Sequence, residues 1–212
     1  MLLKTLLQAH ESRGRISSLE VNSESVIDLH ARFVIGSTGQ ITLRILEPNQ
    51  DDHHLETGFY DSLSRESQNF FGPPEEFTPP WSEEEYDLRF GQSLKYAFIL
   101  PGDGVERIIG KFYLKRIGQM YEGDSNAGKT AELGIGISDQ YHRRGLGSMG
   151  IDILEWAGGQ ISLDSIWLMH FEENDKGAGL YEHRGYSIVR KYKLLNPFTN
   201  TEMTAVERIK HL

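Results

Sequence analysis

A glycine-rich turn between two regular elements, at residues 138–156, places the strongest constraint on the fold of this chain. Alternating apolar residues before the turn predict a strand, and the residues after it follow the period of an amphipathic helix. Backbone N–H groups at a helix start lack partners in the helix, and the helix dipole favours an anion there. Gly145 and Gly147 remove Cβ atoms from the turn, and Arg143 and Arg144 add positive charge. The stretch therefore predicts a phosphate-binding site.

Composition limits the classes of protein to consider. The 212 residues fit one domain, with residues 1–39 as an N-terminal extension (an added strand or hairpin) and residues 40–212 as the main domain. The net charge of −9 argues against nucleic-acid binding, and it suits either a cationic substrate or simple solubility. No apolar run is long enough to span a membrane, and there is no cysteine to form disulfides or thiolate metal sites. We therefore expect a cytoplasmic protein with no membrane or nucleic-acid partner.

The first half of the chain predicts a hairpin and two helices. Strands at residues 26–35 and 41–46 flank a Gly-Ser-Thr-Gly turn. Residues 70–81 hold four prolines and four aromatic side chains, which predict a rigid loop. A short helix over residues 83–90 begins with a Ser-x-x-Glu capping box. An earlier helix is indicated by apolar residues at helical spacing, namely Leu55, Phe59 and Leu63.

The second half predicts two antiparallel strands and then alternating strands and helices. The paired strands, residues 94–100 and 106–114, are joined by a Pro-Gly-Asp-Gly turn, and a polar loop follows over 115–129. One buried face of the second strand is indicated by the shared parity of Ile108, Phe112 and Leu114. The later elements are a strand at 130–137, a buried strand at 166–171, a helix at 174–184, and strands at 186–195 and 205–209. The order predicts a mixed α/β (α+β) fold with a partly antiparallel sheet.

The strand before the glycine turn has two unlike faces. One face is apolar and carries Leu133, Ile135 and Ile137. The other carries Glu132, Gly134 and Gly136. Glycine inside a strand often marks a close approach, so we expect a ligand or another backbone to come near these two glycines.

A dinucleotide-binding unit is the first alternative for the turn, since Gly145, Gly147 and Gly150 spell G-x-G-x-x-G. Seven residues separate the strand from the first glycine, however, where that unit has almost none. Asp164 precedes the next strand, where the ribose-binding acid should end it. The earlier strands also read as antiparallel hairpins. These features argue against this alternative.

The turn resembles the acetyl-CoA motif Q/R-x-x-G-x-G/A of the GNAT superfamily of N-acetyltransferases. Here the motif is His-Arg-Arg-Gly-Leu-Gly at residues 142–147, with His142 where the family has Gln or Arg. A second family pattern, N-x-x-A-x-x-L-Y-E-x-x-G-F, is matched by Asn174, Leu180, Tyr181, Glu182, Gly185 and Tyr186, with Gly177 in place of Ala. The resemblance covers residues 41–195. It implies the GNAT fold, a central mixed, mostly antiparallel sheet with splayed fourth and fifth strands (130–137 and 166–171) and helices on both faces.

The resemblance also implies how acetyl-CoA, the co-substrate, is held. The backbone of residues 135–137 would pair with the pantetheine arm, the N–H groups of residues 143–148 would hold the pyrophosphate, and Asn174 would bind the arm further along. No metal is implied. The full set of implied cofactor-binding residues is Ile135, Gly136, Ile137, His142, Arg143, Arg144, Gly145, Leu146, Gly147, Ser148 and Asn174.

The implied chemistry is direct transfer of the acetyl group to a primary amine. Tyr181 matches the family position of the general acid that protonates the departing sulfur. Glu132 is the candidate general base, because it is the acid on the cleft-lining strand, and a water relay is the alternative. Weaker candidates for the base are Glu122, Asp124 and His170, of which the histidine on its apolar strand is more typical of a satisfied core residue.

Two further questions stay open at the level of sequence. The same motifs also suit a non-catalytic module that binds acyl-CoA as a sensor or scaffold. A homodimer is possible. The acceptor amine, a small molecule or a peptide, is not identified. The acceptor pocket has candidate wall residues in Phe70, Phe71, Phe77, Trp81 and Tyr86, which would equally pack over the sheet. The adjacent His53 and His54 point apart on a helix, so they do not predict a metal site.

Overall fold

The computed structural model describes residues 2–47, 49–71, 93–102, 104–119, 128–196 and 199–212. Nine strands and five helices lie in these ranges. The strands are β1 (Ser17–Ser25), β2 (Asp28–Val34), β3 (Gln40–Ile45), β4 (Leu94–Leu100), β5 (Arg107–Gln119), β6 (Thr130–Ile137), β7 (Ser165–Phe171), β8 (Ser187–Asn196) and β9 (Thr201–His211). The helices are α1 (Leu3–Ser12), α2 (Gln50–Asp61), α3 (Arg65–Phe71), α4 (Leu146–Gln160) and α5 (Asp175–His183).

The nine described strands form one mixed sheet in the order β1-β2-β3-β4-β5-β6-β7-β9-β8. Neighbours pair antiparallel throughout, except β6 and β7, which are parallel. Helix α4 connects this parallel pair, as a crossover connection must. The predicted mixed, mostly antiparallel sheet is confirmed.

Apolar side chains cover both faces of the sheet. The larger cluster joins α1 and α4 to one face, with Leu7, Phe33, Phe98, Phe112 and Leu154 among its buried members. The smaller cluster lies under α2 on the other face and is formed by Leu46, Phe59, Leu63, Ala97, Ile99 and Ile108. Helices therefore lie on both faces, as expected.

Strand β5 corrects two expectations from the sequence. Its register shifts between the pairs Phe98–Gly110 and Ile99–Ile108, so Ile109 is an extra residue on this strand. The bulge reverses the parity, and Ile108 faces α2 while Phe112 faces the larger cluster. The single buried face predicted for Ile108, Phe112 and Leu114 is wrong for this reason. Strand β5 also continues to Gln119, into the stretch predicted as a loop.

Residues 1–39 contain a helix and two strands. The predicted hairpin is present, since β2 pairs with β3 from His30–Arg44 to Val34–Gln40, around a turn in which Gly36 and Gly39 have positive φ. Helix α1 and strand β1 precede it, and β1 extends the sheet beyond β2. The division of the chain at residue 39 stays a prediction.

Several expectations fall outside the described residues. They are the Pro-aromatic loop beyond residue 71, the Ser82–Glu85 capping box with its helix, the aromatic residues Phe77, Trp81 and Tyr86, and the acids Glu122 and Asp124. Phe70 and Phe71, predicted to open that loop, instead end helix α3.

Candidate active site

Strands β6 and β7 separate after a short paired segment. Their parallel pairs run from Thr130–Ser165 to Glu132–Trp167 and then stop. On its other edge, β7 pairs with β9 along its whole length, from Ser165 to Phe171. The N–H of Ser138 bonds to the carbonyl of Ile109 on β5, 2.9 Å away. Because backbone groups alternate in direction along a strand, those of Ile135 and Ile137 face away from β5, into the gap. The predicted splay is confirmed, and one wall of the gap presents backbone donors and acceptors.

His142 lies at the end of this wall. Its Nε2 donates to the carbonyl oxygen of Ile137, at 2.8 Å. His142, which departs from the family motif, therefore binds the end of β6, the strand that precedes the motif. The carbonyl of Ile137 already has a partner, so Ile135 is the better candidate to pair with the pantetheine arm.

The start of α4 has the backbone shape of an anion cradle. Gly145 has φ of +83° and Arg143 has φ of +61°, so two positive-φ residues turn the chain into the helix. The first bond of the helix runs from the N–H of Met149 to the carbonyl of Gly145, at 3.0 Å. The N–H groups of residues 146–148 therefore lie ahead of the helical ladder. A phosphate at this point would meet several donors and the positive end of the helix dipole.

The two arginines of the motif differ in their surroundings. Arg143 is exposed. The guanidinium of Arg144 lies 5.3 Å from the centroid of the Tyr141 ring, and its Nη1 donates to Oγ1 of Thr38 at 2.5 Å. The turn between β2 and β3 thus holds Arg144 in place, a contact that no local sequence pattern indicated.

Glycine at position 147 serves packing between helices. A Cβ there would lie 3.3 Å from Cδ2 of Leu180 on α5 and 4.0 Å from Cγ1 of Ile137. The end of β6, the first turn of α4 and the middle of α5 consequently meet at one point. Tyr181 is the next residue of α5 after Leu180.

The two strand glycines do not leave the sheet bare. A Cβ on Gly134 would lie 2.1 Å from the ring of Tyr113, and a Cβ on Gly136 would lie 2.8 Å from the ring of Phe71. Side chains of β5 and α3 therefore fill the space over these two glycines, and cofactor binding at Gly136 stays a prediction.

Tyr181 is buried in α5 with only 7% of its surface exposed. Its ring centroid lies 5.5 Å from that of His170 and 6.2 Å from that of Tyr186. Burial raises the pKa of the Tyr181 hydroxyl to about 12, so the side chain keeps its proton at neutral pH. The hydroxyl has no hydrogen-bond partner among the described residues, which leaves it available to a bound molecule.

His170 is held in the core by both ring nitrogens. Nδ1 lies 2.9 Å from the carbonyl oxygen of Phe171, and Nε2 accepts from Nε of Arg208 at 3.1 Å. Arginine only donates, so the proton of the neutral ring is on Nδ1. Burial lowers the pKa of His170, although the hydrogen bond to Phe171 opposes that change. The geometry is that of a satisfied core histidine that supports Tyr181.

Glu132 lies on the face opposite the larger cluster, at the last residue that pairs with β7. Its Oε1 is 3.5 Å from Nζ of Lys115, the residue opposite it on β5. Tyr181 packs in the larger cluster, so the acid and base candidates lie on different faces of the sheet at the point where the strands separate.

Asn174 caps helix α5. Its Oδ1 accepts from the N–H of Gly177 at 3.0 Å, which leaves the amide N–H₂ free to donate elsewhere. A Cβ on Gly177 would lie 2.8 Å from Nδ2 of Asn174. The glycine that replaces the family's alanine thus makes room for the capping side chain.

Comparison with known proteins agrees with this geometry. A model of the acetyltransferase (GNAT) family matches residues 60–186, more than half of the chain. The chain belongs to the acetyltransferase (GNAT) family. No curated protein sequence matches it.

Several solved GNAT structures share the fold at low sequence identity. The GNAT domain of S. lividans PAT is 18% identical with a TM-score of 0.60, covering 86% of this chain and 97% of that one. Arabidopsis thaliana NAA60 in complex with acetyl-CoA is 17% identical with a TM-score of 0.57, covering 81% and 98%. The ribosomal-protein-S18-alanine N-acetyltransferase from Escherichia coli is 17% identical with a TM-score of 0.54, covering 81% and 93%. As a GNAT member, the chain is an acyltransferase.

Two contacts of the GNAT site escaped the sequence analysis. Asp139, in the segment before the glycine motif, accepts from Oγ of Ser67 at 2.7 Å and from the N–H of Ser64 at 2.8 Å. Arg184 binds Asp152 and, at 2.9 Å, the carbonyl of Ser148. Each joins segments more than 30 residues apart, so no local pattern signals them.

Among the described residues there is no group of side chains that would hold a metal, and no helix long and apolar enough to cross a membrane.

Proposed function

We propose that this chain transfers the acetyl group of acetyl-CoA to a primary amine by direct attack, with Tyr181 as the general acid. The observation that supports the proposal is the junction of Ile137, Gly147 and Leu180, where the end of β6, the first turn of α4 and the helix that carries Tyr181 meet. NAA60, which shares the fold, is described in complex with acetyl-CoA. The residues present fit that molecule, because the cradle suits its phosphates and the gap suits an extended arm.

Each part of the site has a task in binding. The N–H groups of residues 146–148 would hold the pyrophosphate, with Arg143, Arg144 and the backbone of Gly145 beside it. The backbone of Ile135 would pair with the arm in the gap, as an added strand pairs with a sheet edge. The free amide of Asn174 would donate to the arm further along. Acetyl-CoA itself supplies the thioester that is cleaved.

The reaction forms a C–N bond and breaks a C–S bond. The amine loses its proton to Glu132, directly or through water, and the departing sulfur takes a proton from Tyr181. Proton transfer of this kind contributes ~10²–10⁴-fold to the rate, and positioning of the two reactants adds to it. The opposite placement of Glu132 and Tyr181 suits an amine that enters on one face and a sulfur that leaves on the other. The raised pKa of Tyr181 keeps the acid protonated before transfer.

The test measures release of the free CoA thiol with a panel of peptides, polyamines and amino acids as acceptors. We expect Tyr181→Phe to lower kcat ~10²–10⁴-fold while CoA binding is retained, because the ring and its packing remain. Tyr60→Phe, on α2, is the matched control and should leave kcat unchanged. Binding of CoA without release of thiol from acetyl-CoA for any acceptor would favour the acyl-CoA sensor instead.

The base is tested separately. Glu132→Gln should lower kcat and remove the acid limb of the pH profile if the carboxylate accepts the proton itself. An unchanged profile would assign this step to water. A cytoplasmic location and dimer formation stay predictions.

A further inference from the structure

A basic residue from outside the family motifs lies against the phosphate cradle. Arg15 follows helix α1 and is half-buried. Its Cδ and Cγ are 3.5 and 4.0 Å from the position that a Cβ on Gly145 would take. The side chain therefore packs along the turn that begins α4, although 130 residues separate the two in sequence.

A partly buried chain of hydrogen bonds fixes the head group of Arg15. Its Nη1 is 3.4 Å from Nδ1 of His10, and Nε2 of His10 is 2.8 Å from Oδ2 of Asp152 on α4. Arginine only donates, so Nδ1 accepts and the proton of His10 is on Nε2, towards the carboxylate. His10 is 1% exposed, and Asp152 is also bound by Arg184. Helix α1 is thereby locked to the first two turns of α4.

Most of the hydrogen-bonding capacity of Arg15 remains unused. A guanidinium has five N–H donors, and within the described part of the chain His10 is its one acceptor and no carboxylate pairs with it. An arginine without an acidic partner is notable in a chain of net charge −9. It lies beside a helix start whose own N–H groups are open.

We propose that Arg15 is a further CoA-binding residue, which donates to the phosphate groups of the cofactor. The inference rests on the proposed function, and it extends the site to residues 1–39, outside the range 60–186 matched by the family. A planar guanidinium forms paired hydrogen bonds with phosphate oxygens, and the bond to His10 fixes its orientation before the ligand arrives. His10 and Asp152 act through Arg15 as positioning residues.

Calorimetric titration of the full chain with CoA and with dephospho-CoA tests the proposal without any turnover. Arg15→Ala should weaken CoA binding about tenfold or more, the loss expected for a charged hydrogen bond. Arg15→Lys should give an intermediate loss, because it keeps the charge but not the fork. Arg13→Ala is the matched control, because Arg13 is exposed, lies two residues away, and its substitution removes the same positive charge. Thermal melts of the unliganded variants verify that they are folded.

The two ligands separate the two phosphate sources. A loss for CoA alone would assign Arg15 to the 3′-phosphate, and an equal loss for both ligands would assign it to the pyrophosphate. Wild-type affinity of Arg15→Ala, or an equal loss in Arg13→Ala, would overturn the proposal while the proposed function stands. No binding of CoA by the wild-type chain would refute the proposed function and this inference together.

Discussion

Nε2 of His142 donates to the carbonyl oxygen of Ile137 across 2.8 Å, so the first residue of the glycine motif closes the end of the strand that precedes it. The 3₁₀ helix Asp139–Tyr141 lies between them and brings the chain back on itself. Because histidine replaces the Gln or Arg of the family motif here, this contact indicates what the position does in the fold. A side chain that reaches back and donates is required, and an imidazole, an amide or a guanidinium meets that need.

We expect His142→Ala to lower the free energy of unfolding by about 1 kcal/mol, the typical value of one hydrogen bond. His142→Gln should lose less than half of this, since its amide also donates. Urea unfolding of both variants measures the difference. Equal loss in the two variants would show that the imidazole is needed for its packing and not for its donor.

Two glycines of helix α5 should respond differently to alanine. A Cβ at Gly179 meets nothing within 4 Å, so Gly179→Ala should raise the free energy of unfolding by about 0.5–1 kcal/mol through helix propensity. At Gly177 the Cβ would displace the amide of Asn174 and break the cap, which costs about 1 kcal/mol and cancels that gain. Thermal unfolding of the two variants side by side provides the measurement. Equal stabilisation by both would contradict the capping role of Asn174.

Asp152 should make the protein sensitive to acid. Burial acts to raise the pKa of this carboxyl, but hydrogen bonds from His10 and Arg184 outweigh it and lower the pKa. The unfolded state then binds the proton more readily, so this stabilisation is complete above the unfolded value of 3.8 and is lost as pH falls through the folded pKa.

Asp152→Asn should lower the free energy of unfolding at pH 7 by about 3 kcal/mol, because it leaves a partly buried Arg184 without its charge partner. The free energy of unfolding of this variant should also vary less with pH below 4 than that of the wild type. The control is Glu172→Gln, which removes an exposed pair with Lys191 and should follow the wild-type curve closely. Denaturant unfolding from pH 2.5 to 7 compares the three proteins. A parallel shift of the Asp152→Asn curve at all pH values would contradict the assignment.

Tyr181 should weaken the fold at alkaline pH. Its pKa is about 12 in the folded chain and near 10 when unfolded, so the unfolded state loses its proton first as pH rises. This contribution to stability is present below pH 10 and is lost between pH 10 and 12, by about 2 kcal/mol. Tyr181→Phe lacks it, so the free energy of unfolding of the wild type should fall by about 2 kcal/mol relative to that of the variant over that range. A constant difference from pH 8 to 12 would refute a buried, protonated Tyr181.

Local signals in the sequence were enough to predict the elements around the site. The bounds of β6 were predicted correctly from its alternating residues, and α4 was predicted from its apolar stripe and the glycine turn. The splay between β6 and β7 came from the resemblance to the GNAT superfamily. The periodicity of apolar residues cannot show a splay, because a splay depends on where two strands that are distant in sequence stop pairing.

What the sequence did not predict depends on contacts between distant segments. The extra residue at Ile109 changes which side chains of β5 are buried, and a bulge leaves no mark on the apolar pattern. Tyr113 fills the space over Gly134, so that a strand glycine signalled a neighbouring ring and not a ligand. The link from His10 to Asp152 spans 142 positions and requires knowledge of how α1 packs on α4.

The gap beside Ile135 also affects how fast the backbone exchanges hydrogen with water. The amides of Ile135 and Ile137 face away from β5 and lie beyond the last pair with β7. Although β6 is a central strand, no described strand pairs with them on that side. The protection of an amide from hydrogen exchange reports the free energy of the local opening that exposes it to water. In the free protein these two positions should exchange like an edge strand, and a bound pantetheine arm should make Ile135 exchange as slowly as the core.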